Sequence, residues 1–153
     1  MYIVIAGGGE MGGELARALE KTHDVVVIDR NPQARGRFAS WDVKVVVGGA
    51  TDPDTLREAG VDRADLFVAS TDSDEINLLA SLLAKGLGAK EAFCFGGKGG
   101  YVEVLTDPRT AGIEYPNVVE PEVFEINDNM IQLPGGSGEI VRKRTIGAPP
   151  VNQ

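Results

Sequence analysis

The sequence contains one cysteine, one histidine and no long apolar run. Cys94 alone cannot form an internal disulfide, and such sparse cysteine usage is typical of a reducing compartment. No apolar run approaches the roughly 20 residues that a membrane-spanning helix needs, and the first residues lack the basic start of a signal peptide. These absences predict a cytoplasmic protein with no direct membrane insertion.

Basic residues are also scarce relative to acidic ones. The chain has 15 Lys and Arg against 23 Asp and Glu, which gives a net charge of -8. Nucleic acids and anionic membranes would be repelled by such a protein, so we predict neither as its main partner. A protein with a basic surface is the partner that this charge favours. The length of 153 residues suits one globular domain with a hydrophobic core.

Strand and helix patterns alternate over most of the chain. Regular alternation of this kind predicts right-handed crossovers and a parallel sheet. The predicted fold class is therefore α/β, a doubly wound Rossmann-like parallel β-sheet with helices on both faces. The predicted strands cover 2–6, 24–29, 42–49, 64–70, 91–95 and 117–121, and the predicted helices cover 10–21, 31–41, 51–61, 71–88 and parts of 100–111.

Local signals fix where some of these helices begin. Asp52 is an N-cap candidate, Pro53 suits the first helical position, and Gly60 would stop that helix. Pro32 similarly suggests the first position of a short helix over 31–41. Thr71 fits as the N-cap of the helix that continues through Asp74.

A cluster of glycines follows the first predicted strand. Gly7, Gly9 and Gly12 match G-x-G-x-x-G between that strand and a helix. In this setting the glycines allow a tight turn, a close approach of pyrophosphate to the main chain, and close packing of helix on strand. Asp29 ends the second strand, 22 residues after Gly7, where its carboxylate can accept hydrogen bonds from ribose hydroxyls. The motif favours NAD or an adenine nucleotide over NADP, although the glycines could also form a packing turn without a ligand.

Ligands of doubly wound sheets bind at the carboxyl ends of the strands. Arg30 there could lie against an adenine face or be solvated, and Gly49 with Ala50 could leave room for a base or simply turn the chain. Ser70 and Thr71 could donate to ribose or phosphate, with capping favoured for Thr71. The predicted binding residues are Gly7, Gly8, Gly9, Glu10, Met11, Gly12, Asp29, Arg30, Gly49, Ala50, Thr51, Ser70 and Thr71. Gly48 and 96–98 should lie at the same edge.

Three stretches together resemble one known family. They are "IVIAGGGEMGGELARAL", "VVVIDRNP" and "VVVGGATDPDTLREAGVDRADLFVASTDSDEINLLASLLAKGLGAKE". They look like the N-terminal domain of the regulator-of-potassium-conductance family, also called the TrkA-N or KTN domain. The similarity runs from residue 2 to about 121. Its most specific part is "GGATDPDTLREAGVDRADLFVASTDSDEINLL".

The resemblance implies a cytosolic regulator of a potassium channel or uptake system. Domains of this family dimerise, often assemble into rings, and bind NAD(H), ATP, ADP or AMP to change the shape of the assembly. We therefore expect a nucleotide-binding domain over 1–121, a homodimer or ring, and a membrane potassium channel or translocator subunit as partner. Residues 122–153 form a C-terminal extension, with two strands expected around the Pro-Gly-Gly-Ser-Gly turn, and would be a linker or the start of a second domain.

Two positions depart from the family pattern where the ligand would bind. Glu10 stands where the family often has a basic residue that helps to hold phosphates. A carboxylate about 4 Å from a phosphate costs up to roughly 4 kcal/mol at an effective dielectric of about 20, so ATP should suffer most. Gly49 stands where the family commonly has an aspartate that reaches the adenine amino group. One base contact is therefore expected to be missing.

The alternative function is a small NAD-dependent oxidoreductase or a cofactor-binding fragment of one. Such an enzyme needs a proton donor near the nicotinamide. His23 precedes the second strand, on the opposite edge of the sheet, and is predicted to be a surface loop residue; Cys94 is predicted to be an inert core thiol. Lys98 is a candidate base or phosphate contact, or a solvated lysine. A third hypothesis is that the chain is a domain that keeps the fold in order to assemble but binds no ligand.

We expect ligand binding to act allosterically. A nucleotide on the glycine turn would favour one arrangement of paired domains according to its differential affinity for the two states. The leucine-rich helix at 74–86 has more apolar surface than one face of a sheet requires, so part of it is expected to form a two-fold interface. The alternative is that this helix is simply buried within one domain.

Overall fold

The structure, a computed structural model, describes residues 1–95, 117–119 and 145–146. Its sheet has the strand order β3-β2-β1-β4-β5-β6-β7. All neighbouring strands are parallel except β6 and β7, which pair antiparallel. The predicted doubly wound parallel sheet is therefore confirmed. The strands are β1 Tyr2–Ala6, β2 Asp24–Asp29, β3 Val43–Val47, β4 Leu66–Ala69, β5 Glu91–Phe95, β6 Asn117–Val119 and β7 Thr145–Ile146.

Four helices connect the first five strands. They are α1 Glu10–Leu19, α2 Ala34–Arg37, α3 Pro53–Glu58 and α4 Asp74–Leu87. A short 3₁₀ helix, Val61–Arg63, lies between α3 and β4. None of the helices in the described ranges is long and apolar enough to cross a bilayer. The helix predicted within 100–111 lies outside the described residues, and so does the stretch around the Pro-Gly-Gly-Ser-Gly turn except for β7, Thr145–Ile146.

The predicted start of α3 is confirmed. The Asp52 carboxylate accepts the N–H of Asp54 at 3.0 Å, and Pro53 is the first helical residue. Gly60, just after the helix, has a φ of +79°, a conformation that favours glycine.

The start predicted for α2 at Pro32 is wrong. The helix begins at Ala34, because the side-chain oxygen of Asn31 accepts the N–H of Gln33 at 3.0 Å and turns the chain first. A smaller difference concerns α1, which ends at Leu19 instead of near Lys21.

Separate hydrophobic cores cover the two faces of the sheet. On one face, α1 and α2 pack against side chains such as Ile3, Ile5 and Val27. On the other face, α3 and α4 pack against side chains such as Val4 and Phe67. Because β1, β2 and β4 are buried on both faces, their sequences are nearly continuous apolar runs.

The strand order creates a crevice at the carboxyl edge of the sheet. From β1 the chain moves outward through β2 to β3, and it then returns to β4 on the other side of β1. The connections leaving β1 and β4 therefore diverge to opposite faces of the sheet. Such a switch point is where doubly wound sheets bind their ligands.

Candidate functional site

The glycine turn links β1 to α1 at the switch point. Gly7 has a φ of +99°, and its N–H donates to the Ile28 carbonyl at 2.7 Å. Gly9 is the N-cap of α1, and a Cβ built on it would meet no atom within 4 Å. The N–H groups of the first helical turn have no helix carbonyl to bind, and the positive end of the helix dipole lies there. This open helix start is suited to an anionic group.

Gly12 has a packing role and does not line the crevice. It is buried, and a Cβ at this position would overlap the Gly7 carbonyl oxygen and lie 2.7 Å from the Ser70 hydroxyl oxygen. The third glycine of the motif therefore lets α1 approach β1 closely, as the motif predicts.

Asp29 stands at the carboxyl end of β2, beside the glycine turn. One carboxylate oxygen accepts the Gly8 N–H at 2.9 Å and an Arg37 N–H at 3.3 Å. The other oxygen accepts the Asn31 N–H at 2.8 Å. A carboxylate has about four acceptor sites, so these three bonds leave capacity for a ligand hydroxyl. The motif predicted the position of Asp29 but not the bond to Gly8 or the ion pair with Arg37.

A first cavity of about 390 Å³ lies between the glycine turn and the ends of β2 and β3. Its volume falls within the range of small-molecule sites, about 300–1,000 Å³. The lining includes Ile28, Asp72 and Ile76, which the sequence analysis did not identify. It also brings together most of the predicted binding residues, namely Gly7, Gly8, Gly9, Asp29, Arg30, Gly49, Ala50, Thr51, Ser70 and Thr71, with Gly48.

The loop after β3 has room for a Cβ at Gly49. A Cβ built there would have the Cβ of Asp52 as its nearest neighbour, at 3.9 Å. The nearest atoms therefore do not by themselves require glycine at this position, and the missing base contact stays a prediction.

A second cavity of about 410 Å³ lies on the α4 and β5 side. Its lining includes the predicted binding residues Glu10 and Met11. It shares Gly9, Ser70, Thr71 and Asp72 with the first cavity, so the two adjoin across the glycine turn. The lining residues that the sequence analysis missed are Asp74, Asn77 and Phe95.

Thr71 is not the N-cap of α4, so that prediction is wrong. The cap is Ser73, whose hydroxyl oxygen accepts the Ile76 N–H at 3.3 Å. Thr71 is instead bound to Asn77, whose side-chain oxygen accepts the Thr71 N–H at 2.9 Å and the Thr71 hydroxyl at 2.6 Å. The Asn77 amide nitrogen donates to the carbonyls of Thr71 at 3.0 Å and Phe95 at 2.8 Å. Asn77 is only 1% exposed and joins the ends of β4 and β5.

The Ser70 hydroxyl also bonds within the chain. It lies 3.1 Å from the Ala6 carbonyl oxygen and 3.2 Å from that of Gly7, and can donate to either. Ser70 therefore joins β4 to the start of the glycine turn, and a donation from its hydroxyl to a ligand stays a prediction.

The structure shows where His23 and Cys94 lie, two residues that the sequence analysis considered for catalysis. His23 lies at the opposite edge of the sheet, with its Nδ1 3.1 Å from the N-terminal nitrogen, and burial lowers its pKa. Cys94 is buried within β5, and this burial raises the pKa of its thiol to about 12. The loop position of His23 and the core position of Cys94 are confirmed, and the low reactivity of the Cys94 thiol stays a prediction. Lys98 and Gly96 lie outside the described residues, and no cluster that could hold a metal ion occurs within the described ranges.

The raised pKa of Cys94 predicts a thiol that is nearly unreactive in the folded protein. At about pH 8 the thiolate fraction should be about a thousandfold smaller than in the unfolded chain, because the pKa lies about three units above its ordinary value. A thiol-reactive dye followed by absorbance should therefore label the native protein about a thousandfold more slowly than the urea-unfolded protein. Similar rates in the two states would contradict this placement, and a Cys94→Ser variant gives the background.

Comparisons with known proteins agree with this architecture. The sequence model of the TrkA-N domain matches residues 3–94. A Trk system potassium uptake protein TrkA homolog from Archaeoglobus fulgidus is 48% identical over 90 residues, which are 59% of this chain and 21% of that relative. The Trk system potassium uptake protein TrkA of Streptomyces coelicolor is 36% identical over 154 residues, covering 96% of this chain and 65% of that relative. This chain thus spans only about a fifth of the archaeal relative's length.

A solved structure of another protein has the same fold over part of its chain. The structure of the GsuK channel bound to NAD superposes with a TM-score of 0.55 at 29% identity. The superposition covers 61% of this chain and 17% of the channel chain. The aligned region of this chain has the fold of a domain found in that channel.

Proposed function

This chain belongs to the TrkA-N family, and on that premise we propose that it is a nucleotide-binding regulatory domain of a potassium transport system. The observation that carries the proposal is the pair of adjoining cavities on the glycine turn, with the Asp29 carboxylate beside the first of them. The open start of α1 supplies donors for phosphate, and Asp29 supplies an acceptor for ribose hydroxyls.

The ligand that suits these residues is NAD(H) or an adenine nucleotide such as AMP, ADP or ATP. The negative charge of Asp29 disfavours NADP, whose ribose carries a further phosphate. The structure of the GsuK channel bound to NAD supports a nucleotide ligand, and the TrkA relatives, which are named as potassium uptake proteins, support a potassium transport setting. The two cavities could hold the two halves of a dinucleotide, whereas AMP would need only the first.

The proposed action is allosteric and cytoplasmic. Ligand binding favours one arrangement of the assembled domains, in proportion to the difference in affinity between arrangements. The partner is a membrane potassium channel or translocator subunit, which would keep the domain at the inner face of the membrane. The proposed division is a nucleotide-binding domain over 1–121 followed by a C-terminal extension over 122–153.

The proposed assembly is a homodimer or a higher ring formed through α4. Leu79 is 49% exposed on this helix, and Leu82 and Leu83 are only partly buried against the core. Apolar side chains left at the surface of a helix suit a two-fold contact. This supports the predicted interface over complete burial of the helix within one domain.

An oxidoreductase is less well supported than a regulator. Hydride transfer to a carbonyl substrate commonly uses a positioned proton donor such as histidine, lysine or tyrosine. Among the residues that the structure describes, none of these types lines either cavity. We therefore propose a regulatory domain and not an oxidoreductase.

The test of ligand binding is calorimetric titration with NAD⁺, NADH, AMP, ADP and ATP, followed by the Asp29→Asn variant. The variant keeps an oxygen that can accept the Gly8 N–H but removes the charge that binds ribose hydroxyls. Hydrogen bonds to charged groups contribute about 1.5–3 kcal/mol, so we expect affinity to fall about 10- to 100-fold.

Asp42→Asn is the matched control, because this exposed residue precedes β3 at the opposite edge of the sheet. It removes the same charge and should leave affinity unchanged. Equal affinity of the Asp29→Asn variant and the parent would argue against the placement of the ribose. Potassium uptake in cells carrying either variant tests the regulatory part of the proposal.

A further inference from the structure

The end of α2 lies against the glycine turn. Phe38, the C-cap residue of this helix, is 3% exposed. A Cβ built on Gly8 would lie 2.9 Å from the Phe38 ring and 2.9 Å from a carboxylate oxygen of Asp29. The preceding residue, Arg37, donates to the same carboxylate at 3.3 Å. Two neighbouring residues at the end of α2 therefore reach the glycine turn and the ribose acceptor together.

Trp41 connects this end of α2 to the last turn of α1. Its ring packs edge-to-face on that of Phe38, with 5.3 Å between the two centroids and an angle of 67° between the planes. The guanidinium of Arg17, in the last turn of α1, lies over the Trp41 ring at 5.9 Å from its centroid. The negative face of an aromatic ring attracts a cation in this position. The Arg17–Trp41 contact therefore joins α1 to the segment that follows α2.

The two elements joined by this contact hold the two groups that suit a nucleotide. The donors for phosphate are at the start of α1, and the ribose acceptor Asp29 is paired with Arg37 of α2. Arg17 lies seven residues after Glu10, which is about 10 Å along the same helix. A shift of α1 relative to α2 would change the spacing of the two groups. Among the described residues that line the two cavities, neither Arg17 nor Trp41 is included.

We propose that Arg17 and Trp41 are positioning residues for nucleotide binding, which fix the spacing between the phosphate donors of α1 and the Asp29 carboxylate. The inference rests on the proposed function and adds to it a contact outside the cavities that sets affinity. AMP uses both groups, whereas adenosine has no phosphate and uses Asp29 alone. A ligand held at two points benefits from their being correctly spaced in advance. Loss of the contact should therefore weaken AMP binding and leave adenosine binding almost unchanged.

The test compares the dissociation constants of AMP and adenosine by calorimetry in the parent protein and in the Arg17→Met variant. Methionine is unbranched and has a similar helix propensity, and residue 17 is exposed, so the fold should tolerate the change. We expect affinity for AMP to fall about threefold, which is within the strength of one exposed cation–π contact. Affinity for adenosine should change by less than about 1.5-fold, since adenosine does not depend on the spacing.

Fluorescence of Trp41, the single tryptophan of the chain, gives a second measurement that does not depend on adenosine. If the contact changes the affinity for AMP, then binding of AMP must change the contact by the same free energy. We therefore expect AMP to change the Trp41 emission of the parent, with a midpoint equal to the dissociation constant from calorimetry. The change should be smaller in the Arg17→Met variant.

The control is Arg35→Met, which removes the same charge from an exposed position of α2. It should keep the affinities of the parent, so a general effect of positive charge on phosphate would be seen in both variants. An unchanged AMP affinity in Arg17→Met, an equal fall for adenosine, an equal fall in the control, or a constant Trp41 emission at saturating AMP would overturn this inference. In each of these cases AMP still binds to the parent and the proposed function stands. Absence of binding by every nucleotide would overturn both.

Discussion

The Gly12→Ala variant is expected to lose about 3 kcal/mol or more of its free energy of unfolding. A Cβ at Gly12 would overlap the carbonyl oxygen of Gly7, which belongs to the main chain of a tight turn and cannot swing aside. Relief requires α1 to move away from β1, and this movement would also loosen the buried contacts of Leu15 and Leu19. Insertion of a group into a packed interior commonly costs about 1–3 kcal/mol, and a clash with backbone lies at the upper end.

Gly13→Ala supplies a matched control in the same helix. A Cβ at Gly13 would have its nearest neighbours at 3.8 and 3.9 Å, which is ordinary contact. Alanine is favoured over glycine in a helix by about 0.5–1 kcal/mol, so this variant should be as stable as the parent or slightly more so. Urea unfolding followed by circular dichroism measures both. A Gly12→Ala variant as stable as the Gly13→Ala variant would show that α1 does not pack as closely as described.

The Asn77→Ala variant is expected to lose about 3–5 kcal/mol of stability. Its side chain makes four hydrogen bonds, three of them to the Thr71 N–H, the Thr71 carbonyl and the Phe95 carbonyl. Loss of the buried bond to the Phe95 carbonyl costs about 1–3 kcal/mol, and the bonds to the half-buried backbone of Thr71 add a smaller cost each. Phe95 lines only the second of the two cavities, whereas Thr71 lines both, so the same substitution should weaken dinucleotide binding more than AMP binding.

Ser81→Ala is the control for a buried polar side chain on the same helix. The Ser81 hydroxyl lies 2.8 Å from the Asn77 carbonyl oxygen and 3.2 Å from that of Phe93, and it can donate to either. The Asn77 carbonyl also accepts a backbone N–H one turn further along the helix. Loss of the Ser81 hydroxyl should cost about 1 kcal/mol. Thermal unfolding by calorimetry compares the two variants. Equal losses of stability in both variants would contradict the conclusion that the Asn77 side chain joins the ends of β4 and β5.

Local sequence signals were sufficient where a helix begins without competition from the rest of the fold. Asp52 and Pro53 cap α3 as expected because their hydrogen bond and backbone angles involve only adjacent residues. The position of Asp29 likewise follows from the length of one strand-helix-strand unit. The parallel sheet follows from the alternation of apolar runs with helical patterns.

Tertiary contacts explain what the sequence did not reveal. Thr71 fits the capping pattern as well as Ser73 does, but Asn77 takes the Thr71 hydroxyl and N–H because its own amide is fixed by the Phe95 carbonyl in another strand. Asp72 and Asp74 are typical acids at a helix start, so nothing local marks them as lining a cavity. The cavity forms only when α1, β4, α4 and β5 come together.

The bonds from Gly8, Asn31 and Arg37 to Asp29 fix the rotamer of its carboxylate before any ligand arrives. The conformational entropy of this side chain is therefore lost when the chain folds and is not lost again on binding. A ribose would meet an acceptor already in place, so association need not wait for a side-chain rearrangement.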